Sequence, residues 1–115
     1  MNLMTHKSAS KPSLSIIIPC YNEEEGIPHL ISQLNPALEK LQQQYALELI
    51  FVDDGSIDHT YQLLHEYYGN NPYAKILKHE KNKNLGAALR TGFAAASGDF
   101  VAALDSDCTY DPSLF

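Results

Sequence analysis

Cationic side chains are scarce in this sequence, with eight Lys and Arg against fourteen Asp and Glu and a formal charge of -6 with histidine neutral. Nucleic-acid phosphates would be repelled by such a surface unless its few cations were clustered, and they are scattered, so a nucleic-acid partner is excluded. Cysteine is scarce too: Cys20 and Cys108 are too few and too far apart for a disulfide framework or a zinc ligand set, and they read as small buried thiols in a reducing, cytoplasmic setting. No apolar run approaches the length of a membrane span, because the Ala-rich stretch from Phe93 is broken by Gly98 and Asp99. The opening MNLMTHKSASKPS lacks the apolar core of a secretion signal and reads as a loose polar leader over residues 1–13. A Gly-x-Gly-x-x-Gly turn is also missing. Pro19-Cys20-Tyr21-Asn22-Glu23 follows the first apolar run instead, which argues against a Rossmann dinucleotide site.

What is there is a globular balance, 44% hydrophobic and 19% charged over 115 residues, enough for one domain across residues 14–115. Four apolar runs read as strands: Leu14 to Pro19, from Leu47 to Asp54, Ala74 to His79 and from Asp99 to Asp105. Between them, Ile27, Leu30, Ile31, Leu34, Leu38 and Leu41 recur at helical spacing, as do Leu85, Ala88, Leu89, Gly92, Phe93 and Ala96. A shorter helix over Tyr61 to Tyr68 fits between Asp58, a suitable N-cap, and the Gly69-Asn70-Asn71-Pro72 stop. Pro28 suits a first helical turn, and Pro36 is expected to kink or split the first helix. Strand and helix alternating in this way predict an α/β fold with a mostly parallel sheet covered on both faces.

Ligands of such sheets collect beyond the carboxyl ends of the strands. Polar clusters stand at three of those ends: Tyr21-Asn22-Glu23, Asp53-Asp54-Gly55-Ser56 and Asp105-Ser106-Asp107. The last pair raises a question of charge, since two carboxylates about 5 Å apart repel by about 3 kcal/mol at an effective dielectric of about 20. With no Lys or Arg in the next few residues, water, a shared proton or a metal ion must relieve it. The segment Lys81 to Asn84 reads as a solvated loop with an N-cap at Asn84. The five histidines show no ligand spacing and are assigned to the surface, while Tyr61, Tyr67 and Tyr68 are assigned to core and rim packing.

In order and strand-end placement, IIIPCYNEE, FVDDGSIDHT and NKNLGAALRTGFAAASGDFVAALDSD resemble the nucleotide-binding half of a family 2 glycosyltransferase, the inverting kind with the GT-A fold. The details PCYNEE and DSDCTYDP look most like the polyprenyl-phosphate sugar transferases. The resemblance implies a UDP- or GDP-sugar donor embraced by Pro19, Tyr21 and Glu23, with Asp53 or Asp54 reading base and ribose and Gly55 permitting a tight turn. It implies Mg2+ or Mn2+ on Asp107, with Asp105 on the metal or the ribose and Ser106 between them at the donor. Hard carboxylate oxygens suit either cation. Ser56 would cap the following helix. The general base lies in the family's second half, so no catalytic residue is expected in these 115 residues, and the chain reads as the donor-binding part of a larger domain. The acceptor implied is a polyprenyl phosphate, with membrane contact, at the cytoplasmic face, only through the rest of a parent chain. Two other readings fit parts of the pattern. Asp105-x-Asp107-x-Thr109 matches the opening of a haloacid-dehalogenase-like phosphatase, with Asp105 as nucleophile, and a non-catalytic nucleotide-binding module would need no second half.

Overall fold

The structure, a computed structural model, describes residues 11–104. Strands β1 (Ser13–Cys20), β2 (Ala46–Asp53), β3 (Ala74–Lys78) and β4 (Phe100–Ala103) alternate with helices α1 (Ile27–Leu41), α2 (Thr60–Tyr68) and α3 (Leu85–Ala95). All three strand pairings are parallel, and the sheet order is β3-β2-β1-β4. The predicted α/β architecture is therefore observed. From β1 the chain steps outward to β2 and β3, then α3 carries it back so that β4 lies on the other side of β1. That reversal puts the topological switch point of the sheet between β1 and β4.

Strand alternation sorts the apolar residues into two cores. Ile16 and Ile18 of β1 and Leu49 and Phe51 of β2 face α1 and α2, whereas Ile17, Ile50 and Val52 face Ala88 of α3. Because both faces are covered, β1 buries five residues in a row, Leu14 to Ile18, and each buried Ile or Leu is worth about 1.5–3 kcal/mol. Tyr68 closes the first core from α2: its ring centroid lies 4.9 Å from that of Phe51, and its hydroxyl donates to Asn35 Oδ1 at 2.6 Å. On the other face α3 approaches β1 so closely that a Cβ on Gly92 would run into the Ile17 side chain. The small residues of this helix serve that approach.

Three expectations are corrected. Helix α1 is not split at Pro36 but continues through it; the carbonyl that loses its partner belongs to Ser32, on the exposed side where water can satisfy it. Leu85 and Phe93 of α3 are exposed, by 63% and 50%, because only the strip through Ala88 and Gly92 meets the sheet. Neither Ser56 nor Asp58 is the N-cap of α2, which starts after His59. Asp58 Oδ1 instead accepts from the backbone N and hydroxyl of Thr60 at 2.9 and 2.6 Å, one step ahead of the helix. Burial alone would raise the Asp58 carboxyl, but these donors and the Glu24 backbone outweigh it and hold it below its usual value.

At the amino-terminal edge of the sheet Glu48 joins β1, β2, β3 and the turn before β4. Its Oε1 accepts from Ser15 Oγ at 2.7 Å and from the Ser97 backbone N at 3.0 Å, and its Oε2 pairs with Lys75 Nζ at 2.8 Å. Burial pushes the Glu48 carboxyl up, but Lys75, Ser15 and Ser97 together bring it down from 4.5 to about 2. Ser13 and Asp99 exchange two further bonds there, from Ser13 N to Asp99 Oδ2 and from Asp99 N to Ser13 Oγ.

Candidate functional site

The opposite edge carries the polar clusters. Tyr21 and Glu23 follow β1, Asp54 to Ser56 follow β2, and His79 to Asn84 follow β3. Here the backbone takes conformations that most side chains avoid. Among the described residues, the positive-φ positions Asn22 (50°), Gly55 (77°) and Asn84 (93°) all fall on this edge, one in each of the three loops. Asn and Gly tolerate that region, and such strain concentrates at functional sites. At Gly55 the restriction is double, because a Cβ would also overlap the backbone of Lys81 and Asn82.

Side chains lace the loops together. Ser56 Oγ donates to Asp53 Oδ1 in a short hydrogen bond and accepts from Asn22 N at 2.8 Å. Asn22 Oδ1 accepts from Ile57 N at 3.0 Å, and buried Thr60 Oγ1 accepts from Glu23 N at 2.8 Å. The role expected of Ser56, capping a helix, is thus replaced by bridging the first two loops.

A cavity of about 400 Å³ opens at the switch point between β1 and β4. Pro19, Cys20, Tyr21 and Glu23 form one wall, Asp54 and Asn82 another, and Leu85, Ala88 and Leu89 of α3 with Ala103 and Leu104 supply the apolar remainder. Few polar groups converging in an apolar cleft is the usual make-up of a small-molecule site. Of the residues singled out from the sequence, the structure brings Pro19, Tyr21, Glu23 and Asp54 together on this lining. Tyr21, 44% exposed, stands at its rim. Asp53 and Gly55 lie outside the lining, both buried. Asp105, Ser106 and Asp107, and with them the metal and phosphatase readings, lie outside the described residues.

The two adjacent acids differ sharply. Asp53 is wholly buried, and its Oδ2 has no hydrogen-bond partner. Asp54 accepts four bonds: His79 Nδ1 at 2.7 Å and Lys83 N at 2.9 Å on Oδ1, Asn84 N at 3.0 Å and Asn82 Nδ2 at 3.1 Å on Oδ2. It therefore organises the third loop, which had been read as merely solvated. The predicted N-cap is observed, with Asn84 Oδ1 accepting from Ala87 N at 2.9 Å. His79, assigned to the surface with the other histidines, is buried. It sits at the end of β3, where its backbone N donates to Asp53 O at 2.8 Å and its ring reaches inward. Its one available signal was position, the same strand-end rim as the acids. Thr60 was missed, because its partner Glu23 lies 37 residues away along the chain.

Among the described residues no group of three or more His, Cys, Asp or Glu side chains is placed to hold a metal ion, and no helix is long and apolar enough to cross a membrane. Cys20 is buried, as expected, with its Sγ 3.7 Å from Ile18 O; Cys108 lies outside the described residues.

A parallel sheet of this order with a cleft at its switch point defines an α/β domain of the kind that binds ligands beyond its strand ends. Residues 15–115 match the model of glycosyl transferase family 2, and the chain belongs to that family. The undecaprenyl-phosphate 4-deoxy-4-formamido-L-arabinose transferase of Yersinia enterocolitica is 41% identical over 101 residues, which cover 86% of this chain and 30% of the relative. The chain thus spans less than a third of the curated relatives it matches. Among solved structures, S. aureus TarS 1-349 in complex with UDP is 33% identical with a TM-score of 0.67, over 83% of this chain and 27% of that one. The mannosyltransferase PcManGT from Pyrobaculum calidifontis, in complex with GDP-Man and Mn2+, has a TM-score of 0.70 at 24% identity, over 86% of this chain and 28% of its own, and shows the shared fold.

Proposed function

We propose that this chain is the donor-binding part of an inverting glycosyltransferase that moves a sugar from a UDP- or GDP-sugar to a polyprenyl phosphate. The observation that carries the reading is the convergence of Pro19, Tyr21 and Glu23 from one strand end with Asp54 from the next on a single cavity at the switch point. The base lies against Tyr21, with Glu23 toward base or ribose. Of the two candidate acids, Asp54 is the one that faces the nucleotide, since Asp53 lies behind it on Ser56. With its lone-pair positions already filled, Asp54 meets a ring N–H by sharing or exchanging one of its present donors. The polyprenyl acceptor is supported by the 41% identical relative, whose name specifies undecaprenyl phosphate.

Asp107 would hold Mg2+ or Mn2+, with Asp105 on the metal or the ribose and Ser106 at the donor. Hard oxygen ligands fit either ion, which when bound offsets the negative charge of the diphosphate leaving group. The protein's own part in this chain is binding and orientation; the general base and the acceptor site belong to the longer parent, which works at the cytoplasmic face of a membrane. Membership of the family, spanning the acid cluster itself, leaves no support for the phosphatase reading of Asp105.

Calorimetric titration of the 115-residue chain with UDP and with GDP, with and without Mn2+, tests this. Metal-dependent binding of one of them, lost in Asp54→Ala and weakened in Asp107→Ala, is the expected result, without sugar transfer by the isolated chain. Absence of binding to either nucleotide in the presence of metal overturns it.

A further inference from the structure

Asp54 touches the cavity, yet the group that aims it stands behind it. His79, 9% exposed, lies between α3 and the end of β2, with Nδ1 2.7 Å from Asp54 Oδ1 and Nε2 2.8 Å from Thr91 Oγ1. A carboxylate only accepts, so Nδ1 carries a hydrogen and donates it. Nε2 then meets the Thr91 hydroxyl, which can serve as either donor or acceptor. The ring is thus pinned at both nitrogens. Asp54 in turn holds the backbone N–H groups of Lys83 and Asn84 and the side chain of Asn82, a cavity residue. One connected line runs from helix α3 through Thr91, His79 and Asp54 to the wall of the cleft.

We propose that His79 is a positioning residue of this site: its Nδ1–H fixes the Asp54 carboxylate, and through it the 82–84 loop, whose Asn82 lines the cavity. The proposal rests on the donor-site reading for its consequence on affinity, but not for its consequence on the loop. A histidine that merely fills space would matter through its volume alone. One that positions matters through a single nitrogen, and amide side chains separate the two cases: Asn places a donor near Nδ1, Gln places one near Nε2, and Phe supplies neither.

Two measurements on the 115-residue chain carry the test: hydrogen exchange at the Lys83 and Asn84 amides without nucleotide, and the Kd for UDP or GDP with Mn2+. His79→Phe and His79→Gln are expected to speed exchange at Lys83 and Asn84 and to weaken nucleotide binding, each by about tenfold or more. Exchange at Ile17 and Ile50, in the sheet centre, stays as in the parent. His79→Asn keeps both quantities within about threefold of the parent. Should the Phe variant fail to fold, His79→Gln and Thr91→Val decide, the latter giving a smaller change in the same direction. Unchanged exchange at Lys83 and Asn84 in the Gln variant, or a loss in the Asn variant equal to that in the Phe variant, overturns the proposal. If the parent chain binds neither nucleotide, the donor-site reading fails while the exchange series still decides what His79 does.

Discussion

The two ends of the one sheet use the same residue types to opposite effect. At the amino-terminal edge, both carboxylate oxygens of Glu48 meet donors from three other segments, and Asp99 and Ser13 satisfy each other. No positive-φ residue among those described occurs there. At the carboxyl edge, Asp53 keeps an unpartnered buried oxygen, three loops carry left-handed residues, and a cleft of about 400 Å³ opens beside Asp54. Buried polar groups are normally paired, and a left-over one points to a strain reservoir or a site. The first edge fastens strands together, while the second is held open by the same kind of bonds directed into loops.

The largest predicted effect comes from closing that open edge. Gly55→Val places a branched side chain at φ 77° and against the Lys81–Asn82 backbone, which cannot rotate away as a side chain would. Strain and overlap together should cost about 3–5 kcal/mol, read as a lowered denaturant midpoint, with nucleotide binding abolished. Asp54→Ala follows. It strips the acceptor from two backbone N–H groups and from His79 and Asn82 at once, so a loss of about 2–3 kcal/mol in chemical denaturation is expected along with loss of nucleotide binding. A variant that stays within about 0.5 kcal/mol of the parent would show that the 82–84 loop does not depend on this carboxylate.

How much of this was legible beforehand follows from range. Strands and helices announce themselves through neighbours two to four residues apart, so the Ile-rich run of β1 and the recurring Leu and Ile of α1 marked the fold and its parallel order of elements. Strand-end placement then brought Pro19, Tyr21, Glu23 and Asp54 to one rim. What stayed hidden depends on partners far along the chain. His79 is buried by Asp54 and Thr91, 25 and 12 residues away, and no periodicity distinguishes it from exposed His65. Leu85 and Phe93 share the helical spacing of Ala88 and Gly92, yet spacing says nothing of how wide a strip the sheet offers. Among the described strands β4 lies at the edge of the sheet, and its Phe100 and Val101 are exposed as well. Pro36 was expected to kink or split α1 because the rule concerns interior proline; the helix is not split, and Pro36 stands on the wet side.

The fastening edge should respond to acid and leave the cleft alone. Because the Glu48 carboxyl sits at about 2 when folded and 4.5 otherwise, the unfolded chain binds the proton first, so its contribution is complete above pH 4.5 and is lost as the pH falls toward 2. Glu48→Gln should cost about 1–2 kcal/mol at neutral pH and flatten that part of the acid limb. Its nucleotide affinity should stay within about twofold, since the two edges share no partners. A weakened affinity would mean that the edges are coupled through β2.

Tyr68 belongs to neither edge and gives the smallest effect. Burial holds its phenol above the ordinary 10.0, with Tyr73 adding to the rise, so the folded state favours the neutral form and any pH effect appears only as stability lost above that value. Tyr68→Phe keeps the ring on Phe51 and removes the 2.6 Å bond to Asn35, which should lower stability by about 1 kcal/mol near neutrality. Asn35 is exposed and can turn to water, which is why the cost stays at the low end. The alkaline limb should be shallower in the variant than in the parent, because the group that must be kept neutral is gone. An unchanged alkaline limb, measured by thermal unfolding from pH 8 upward, would mean that Tyr68 ionises as readily in the folded chain as in the unfolded one.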